Sequence, residues 1–269
     1  MRAVKNPLIA LITDFGAGDF FVGSIKGVIC RINPSARIID ITHEISPFDV
    51  SAASFVLSAV YRYYPAKTIF LLVVDPGVGS DRKVLVVQTE TFFFVAPDNG
   101  VLSPVFEKEE VKKAAALTNA KYFLSEPSFT FHGRDKMAPA AAWLSRGVEV
   151  AEFGEEVFDF KRLSLTKSRR KNNRIIGQVL YVDKFGNLIT NIPNHEVLCL
   201  KKESQSGEIL LHIGKREISA FAASYAFVKR GELLFLEGSV GFVEIAAREA
   251  SAQRRLRAKP GDKVVITGD

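Results

Sequence analysis

Apolar residues in the first half of the chain form short continuous runs that alternate with helix-like segments. Helical spacing of apolar residues predicts helices at residues 19–31, 49–63 and 137–146. The apolar runs predict strands at residues 8–13, 37–41, 68–74, 83–89 and 92–96. Strands that are apolar on both faces and alternate with helices are typical of a parallel sheet covered on both sides. The pattern therefore predicts an α/β domain with a central, mostly parallel sheet.

The second half of the chain has short strand-like runs separated by glycine-containing turns. Strands are predicted at residues 175–182, 188–192, 209–213, 233–236, 242–246 and 264–266. No long helix is needed here, so we expect a small all-β domain, a barrel or a sandwich. A basic linker at residues 163–174 separates the two patterns. It divides the chain into an α/β domain at 1–162 and a β domain at 175–269.

The net charge of +6 and the isoelectric point of about 9.2 raise the question of a nucleic-acid partner. The positive charge is concentrated, because residues 161–174 contain seven Lys or Arg and no acid, and a second basic patch spans residues 248–260. Neither patch has interleaved aromatic residues on which bases could stack. Both patches are typical of solvated surface, so we expect no nucleic-acid partner.

The longest apolar runs are far too short to span a bilayer. The run at residues 8–13 indicates a first strand rather than a signal peptide, so we expect a cytoplasmic protein with no membrane partner. Cys30 and Cys199 lie far apart, and we expect two buried or half-buried thiols. Two cysteines and four scattered histidines supply too few ligands for a zinc site, so no metal or cofactor is expected.

Two carboxylates close apolar strands and precede glycine turns. Asp14 follows the first predicted strand, and Asp75 follows the strand at residues 68–74. Ligands of open α/β sheets bind at the carboxyl ends of the strands, so both acids are candidates for a binding site. Asp19 stands at the start of the first predicted helix, where it can serve as the N-cap.

Three further polar clusters accompany these acids. The segment "DPGVGSDRK" places Arg82 seven residues after Asp75, "FHGRD" places His132 before a predicted helix, and "VDKFGN" carries Asp183 and Asn187. Taken singly, each has a plain structural interpretation as a surface ion pair, a structural histidine or a turn. Spacing alone does not establish that the clusters converge.

The clusters, taken together and in this order, resemble one family of adenosyl-transferring enzymes. The resemblance rests on "TDFGAGDFFVGSIKGVI", "VVDPGVGSDRK", "APDNGVLSP", "FHGRDKMAPAAAWL", "YVDKFGNLITNI", "GELLFLEGSVGFVEIA" and "KPGDKV", which together span nearly the whole chain. The family includes the S-adenosylmethionine (SAM) hydrolases, also called SAM hydroxide adenosyltransferases, and the related fluorinases and chlorinases.

The resemblance implies a set of site residues. An Asp–Arg–His set is catalytic in the hydrolase branch, and the matching positions are Asp75, Arg82 and His132. The implied substrate contacts are Asp14 to the ribose hydroxyls, Asp19 and Asp183 to the ammonium of the methionine part, Asn187 to the adenine edge, Tyr225 stacked on the purine, and Ser239 near the amino-acid end.

The resemblance implies hydrolysis of SAM to adenosine and L-methionine by a water in line with the C5′–S bond. SAM is then the substrate and not a cofactor. In the halogenating branch, hydroxyl-bearing residues surround the halide, whereas this chain has Asp75 and Val78 in that loop. A carboxylate there would repel a halide, which favours water as the nucleophile. The family also implies a homotrimer with sites between the α/β domain of one subunit and the β domain of its neighbour.

The sequence departs from the family pattern in one segment. Arg248 stands where the family usually has asparagine, Ala250 stands where it has glycine, and Val240 replaces an arginine of the fluorinases. Side-chain contacts of that segment therefore do not carry over.

The alternatives to a SAM hydrolase are, in order, a SAM-dependent halogenase, a non-catalytic binder of SAM or adenosine, and a nucleic-acid-binding module.

Overall fold

The computed structural model of this protein describes residues 7–164 and 166–269. The chain divides into two compact units, the first at 1–163 and the second at 164–269. Within the described residues, no helix is long and apolar enough to cross a membrane.

The first unit is built on a six-stranded sheet with helices, in the order β2-β1-β3-β5-β4-β6. Its elements are β1 (Leu8–Thr13), α1 (Phe20–Ile32), β2 (Arg37–Thr42), α2 (Val50–Val60), β3 (Ile69–Val73), β4 (Val84–Thr89), β5 (Phe93–Pro97), α3 (Ser103–Lys108), β6 (Val111–Ala116) and α4 (Ala138–Ser145). Strands β2, β1, β3 and β5 are parallel, and β4 is antiparallel to β5 and β6. The predicted α/β domain with a mostly parallel sheet is confirmed.

Two groups of apolar side chains pack in this unit. On one face, α1 and α4 pack against β1 and β3 through residues such as Ile25, Leu71 and Ala141. Elsewhere in this unit, Tyr61, Phe70 and the neighbouring aromatic rings stack or meet edge to face. Strands β1 and β3 are buried along their whole length, because helices or loops cover them, whereas β2 at the edge of the sheet is exposed or half-buried.

The second unit is an eight-stranded antiparallel, barrel-like sheet in the order β11-β10-β14-β8-β9-β13-β12, with β7 paired to β8. Its elements are β7 (Arg169–Lys171), β8 (Arg174–Val182), β9 (Leu188–Pro193), α5 (Asn194–Glu203), β10 (Ile209–Ile213), β11 (Arg216–Ile218), β12 (Leu233–Glu237), β13 (Phe242–Ala247), α6 (Ala252–Leu256) and β14 (Lys263–Gly268). The predicted all-β, barrel-like character is confirmed. Strand β7 lies within the stretch predicted as a basic linker.

Two expectations about local structure are wrong. The second unit contains the ten-residue helix α5, which buries Val197 and Leu200 but is otherwise mostly polar, so its apolar pattern is too weak to predict a helix. Cys30 and Cys199 are both exposed rather than buried, because each lies on the outward side of its helix, α1 or α5.

Candidate active site

The loop that connects β3 to β4 crosses the carboxyl end of β5, the strand between them. Because β3 is parallel and β4 antiparallel to β5, the last residues of β3 and the first residues of β4 lie at the same edge of the sheet. Asp75 and Arg82 are therefore neighbours despite their separation in sequence. The Asn99 side chain, just after β5, donates a 2.9 Å hydrogen bond to the Val74 carbonyl and ties the loop to this edge.

Two successive turns fold the loop tightly. The amide of Val78 donates to the Asp75 carbonyl at 3.2 Å, and that of Ser80 donates to the Gly77 carbonyl at 3.1 Å. Gly79 has φ +81°, and a Cβ atom there would lie only 2.8 Å from the Phe129 carbonyl oxygen. Glycine is therefore required for this turn and for its contact with the segment leading to His132.

The three predicted catalytic side chains meet in one hydrogen-bonded set. Arg82 Nε donates to Asp75 Oδ1 at 2.8 Å, and Arg82 Nη2 contacts Asp75 Oδ2, so the two side chains form a bidentate ion pair. The two side chains are only 6% and 7% exposed. Arg82 Nη2 also lies 3.0 Å from His132 Nδ1. Guanidinium nitrogens only donate, so Nδ1 accepts and the neutral ring carries its proton on Nε2.

The backbone around His132 packs closely against the sheet. A single π-helical turn at Gly133–Met137 leads into α4, and such turns are frequent at functional sites. A Cβ atom at Gly133 would lie 2.6 Å from Val73 Cγ1, so glycine is required for this approach to β3. The preceding Phe131 ring packs edge to face against Phe15 and Phe21. These contacts hold the imidazole beside the end of β3.

His132 is 5% exposed, and its Nε2 atom has no hydrogen-bond partner among the residues that the structure describes. Burial lowers the pKa of this imidazole, and the positive charges of Lys136 and Arg82 lower it further, against the opposing effect of Asp75 and Asp135. The ring is therefore neutral near pH 7. It presents an unpartnered N–H donor.

A cavity of about 280 Å³ adjoins this set. Asp14, Asp75 and His132 line it together with apolar side chains that include Phe48 and Val78. The Asp14 carboxylate accepts a 2.9 Å hydrogen bond from the Phe48 amide, which fixes its orientation at the end of β1. The structure thus brings four of the predicted site residues to one edge of the first unit.

Asp19 lies outside this group. Its side chain is exposed and accepts a 2.7 Å hydrogen bond from the Phe20 amide as the N-cap of α1. The predicted capping role is confirmed.

The other four predicted residues, Asp183, Asn187, Tyr225 and Ser239, line a single cavity of about 1000 Å³ in the second unit. Asp183 Oδ1 accepts from the amides of Phe185 and Asn187 at 2.9 and 2.8 Å, and Oδ2 accepts from Asn187 Nδ2 at 3.0 Å. The turn "DKFGN" thus fixes both side chains. The Asn187 amide nitrogen is committed to Asp183, which leaves its carbonyl oxygen to accept from a ligand.

Glu244 and Arg248 also line this cavity, and neither was among the predicted site residues. Glu244 is 7% exposed and accepts a 2.6 Å hydrogen bond from the Tyr225 hydroxyl. Burial raises the pKa of the Glu244 carboxyl, and the nearby Asp183 raises it further. Arg248 Nη1 donates to the carbonyls of Val228 and Ala226 at 2.8 and 3.3 Å. It therefore braces the segment that carries Tyr225.

The sequence held a weak signal for Glu244, a single acid within the apolar run "FVEIA" of β13. Alternation along a strand places Glu244 with Phe242 and Ala246 but does not say which face is lined by a cavity. The register of β13 against β9 also shifts between Phe242 and Glu244. A plain period-two reading of the run therefore fails there.

Two sequence models of known domains match the chain. The SAM hydroxide adenosyltransferase N-terminal domain matches residues 9–154, and the C-terminal domain of the same family matches residues 177–265. The chain belongs to the SAM hydroxide adenosyltransferase family. The two matches fall within the two units that the structure separates.

Relatives named as SAM hydrolases cover almost the full chain, and a fluorinase covers less of it. A protein of Methanocaldococcus jannaschii named (R)-S-adenosyl-L-methionine hydrolase is 34% identical over 275 residues, which cover 99% of this chain and 98% of the relative. A protein of the same name from Salinispora tropica is also 34% identical, and the match covers 97% of this chain and 98% of the relative. A fluorinase from an Actinoplanes species is 27% identical, and the match covers 71% of this chain and 74% of the fluorinase.

A solved structure of an uncharacterized conserved protein from Thermotoga maritima has the same fold as this chain. It is 42% identical, has a TM-score of 0.90, and covers 96% of this chain and 99% of its own.

Proposed function

We propose that this chain hydrolyses SAM to adenosine and L-methionine. The observation that carries the proposal is the hydrogen-bonded set of Asp75, Arg82 and His132 beside a cavity. Full-length relatives at 34% identity that are named SAM hydrolases support it.

The departure of the leaving group needs no catalytic group of the protein at the sulfur atom. Methionine leaves the sulfonium as a neutral thioether, so no general acid is required there. Water attacks C5′, the electron pair of the C5′–S bond passes to sulfur, and the attacking water loses one of its two protons as it becomes the 5′-hydroxyl. The protein must therefore hold a water in line with that bond and accept its proton.

The set of three side chains fits this task. Arg82 and the N–H of His132 are donors that hold and polarise the water, and the permanent charge of Arg82 favours its hydroxide character. Asp75 orients Arg82 through the bidentate ion pair and takes up or relays the proton of the attacking water. General-base assistance of this kind contributes roughly 10²- to 10⁴-fold in rate.

We assign the substrate contacts on the family resemblance and the two cavities. Asp14 holds the ribose hydroxyls in the first unit. In the second unit, Asp183 binds the ammonium, Asn187 reads the adenine edge, Tyr225 stacks on the purine and Ser239 contacts the amino-acid end. Asp19 is proposed as a second ammonium contact.

The assembly and the location rest on the resemblance and the sequence. We propose a homotrimer in which each site combines the first unit of one subunit with the second unit of its neighbour. Cytoplasmic location, the absence of a cofactor and the absence of a metal stay predictions.

The test uses purified protein and SAM in water enriched in ¹⁸O, with and without chloride or fluoride, followed by chromatography and mass spectrometry. We expect adenosine labelled at its 5′-oxygen, together with unlabelled L-methionine, in both buffers. A 5′-halogenated nucleoside would assign the protein to the halogenases. Binding of SAM without any product would make it a non-catalytic binder.

A further inference from the structure

Glu244 is a buried carboxylate that the mechanism above does not use. It lies on β13 with 7% of its surface exposed and faces the cavity of the second unit. Among the residues that the structure describes, no cation pairs with it, and its one hydrogen-bond donor is the neutral Tyr225 hydroxyl. Buried carboxylates are ordinarily paired, so this cavity is electrostatically incomplete by itself.

One oxygen of this carboxylate is free to bind a ligand. Oε1 accepts from Tyr225 at 2.6 Å, whereas Oε2 has no donor in the described part of the chain. Oε2 lies beside the turn that follows β12, where a Cβ atom at Gly238 would approach it to 3.5 Å. Ser239, the next residue of this turn, lines the same cavity.

Asp183 is the second carboxylate of this cavity. Three hydrogen bonds from Phe185 and Asn187 fix its orientation, but no described residue forms an ion pair with it. Two acids that line one cavity disfavour each other's charge, and the raised pKa of Glu244 reflects its burial and this repulsion. A bound cation would relieve both effects.

The cations of the cavity wall do not supply that charge. Lys184, Arg248 and Arg254 line the cavity. The Arg248 guanidinium is directed to two backbone carbonyls and approaches Glu249, and none of the three pairs with Glu244 or Asp183. The complementary charge must therefore come from the ligand.

We propose that Glu244 is a specificity-determining residue that binds the primary ammonium of the substrate's amino-acid part together with Asp183. This inference rests on the proposed function. Of the polar groups of SAM, the sulfonium carries a charge but no N–H, and the adenine amine carries N–H groups but no charge. The ammonium has both, with three donors that can reach two carboxylates at once.

The test compares SAM with its deaminated analogue, in which a 2-oxo acid replaces the amino acid and the sulfonium is retained. We expect Glu244→Gln to raise KM for SAM on the order of 10- to 100-fold, the range of a hydrogen bond to a charged group. The kcat for SAM and the KM for the analogue should change less than about twofold, because neither depends on the ammonium contact. The matched control is Glu237→Gln at the exposed end of β12, which should change nothing.

Three results would overturn the inference. The first is an equal rise of KM for SAM and for the analogue in Glu244→Gln, since a packing role would produce it. The second is an unchanged KM for SAM in that variant. The third needs no variant: equal KM values for SAM and the analogue in the wild-type protein.

The proposed function can fail separately. If the wild-type protein releases no adenosine from SAM, the ammonium contact can still be tested by titration calorimetry of SAM binding to the wild-type and Glu244→Gln proteins. A Kd about 10- to 100-fold weaker in the variant supports the ammonium contact. Equal Kd values contradict it.

Discussion

The catalytic set of the first unit and the cavity of the second unit treat charge in opposite ways. In the first unit the Asp75 carboxylate is matched by the Arg82 guanidinium, so that the charge of this pair is balanced before any ligand arrives. In the second unit Asp183 and Glu244 have no cation partner among the described residues. This contrast indicates which part of a substrate each site suits. The balanced site suits a neutral molecule such as water, and the unbalanced site suits a cation.

The largest effect should come from breaking the balanced pair. Asp75→Asn keeps the shape of the side chain but removes the proton acceptor, so we expect kcat for adenosine release to fall by roughly 10²- to 10⁴-fold. Asp81→Asn, an exposed acid of the same loop, is the control and should retain activity. Unchanged turnover in Asp75→Asn would remove the mechanism.

The next effect tests whether close packing positions the balanced site. Gly133→Ala would place a methyl group 2.6 Å from Val73 Cγ1, so we expect a loss of about 1–3 kcal/mol in the free energy of unfolding and a lower kcat as His132 is displaced. The measurement is urea unfolding beside the adenosine assay.

The control for this variant is Gly27→Ala in the middle of α1, where nothing lies within 4 Å of an added Cβ atom. It should gain about 0.5–1 kcal/mol in the free energy of unfolding, because alanine favours the helix. Equal stability changes in the two variants would show that the contact at Val73 is relaxed at little cost.

A smaller effect concerns the wall of the unbalanced site. Arg248→Ala removes two hydrogen bonds to the segment that carries Tyr225, each worth about 0.5–1.5 kcal/mol, so we expect a KM increase of several-fold with kcat nearly constant. Arg230→Ala, at a largely exposed neighbour, is the control. An unchanged KM would mean that Tyr225 is held without this brace.

The smallest effect is a shift in pH dependence. Lys136 lowers the pKa of His132, so Lys136→Met should raise that pKa. Protonated imidazole cannot accept from Arg82, and activity is therefore lost as pH falls through the His132 pKa. The acidic limb of kcat/KM should move to higher pH in the variant. Asp14, Asp75, Asp81, Arg82, Lys83 and Asp135 remain in place around the ring or the cavities it lines.

The control for the pH experiment is Lys121→Met, which removes an exposed lysine that does not line these cavities and should leave the acidic limb in place. An acidic limb that does not move in Lys136→Met would mean that His132 does not control activity through its protonation.

The pattern of apolar residues was sufficient to predict both fold classes. Continuous apolar strands and short strands separated by turns are both local features of the sequence. The pattern missed β6, "VKKAAA", since lysine and alanine are poor strand formers, and this strand is held by its pairing with β4. It missed α5 because a helix with two buried residues has almost no apolar stripe.

The site was partly predictable. The position of Asp14 and Asp75 at strand ends was a local signal, whereas the meeting of Arg82 with His132, fifty residues apart in sequence, depends on the sheet topology. The family resemblance supplied that link, and the structure supplies its geometry. Neither the apolar pattern nor the family resemblance indicated Glu244 as a site residue. A single acid in an apolar strand does not reveal which side of the barrel it faces.

The enclosure of the Asp75–Arg82 pair has a consequence for behaviour in salt. Both side chains are almost entirely removed from solvent, and dissolved ions screen enclosed pairs far less than exposed ones. The chemical step should therefore keep its rate from dilute buffer to concentrated brine, even where the basic surface of the chain responds to ionic strength.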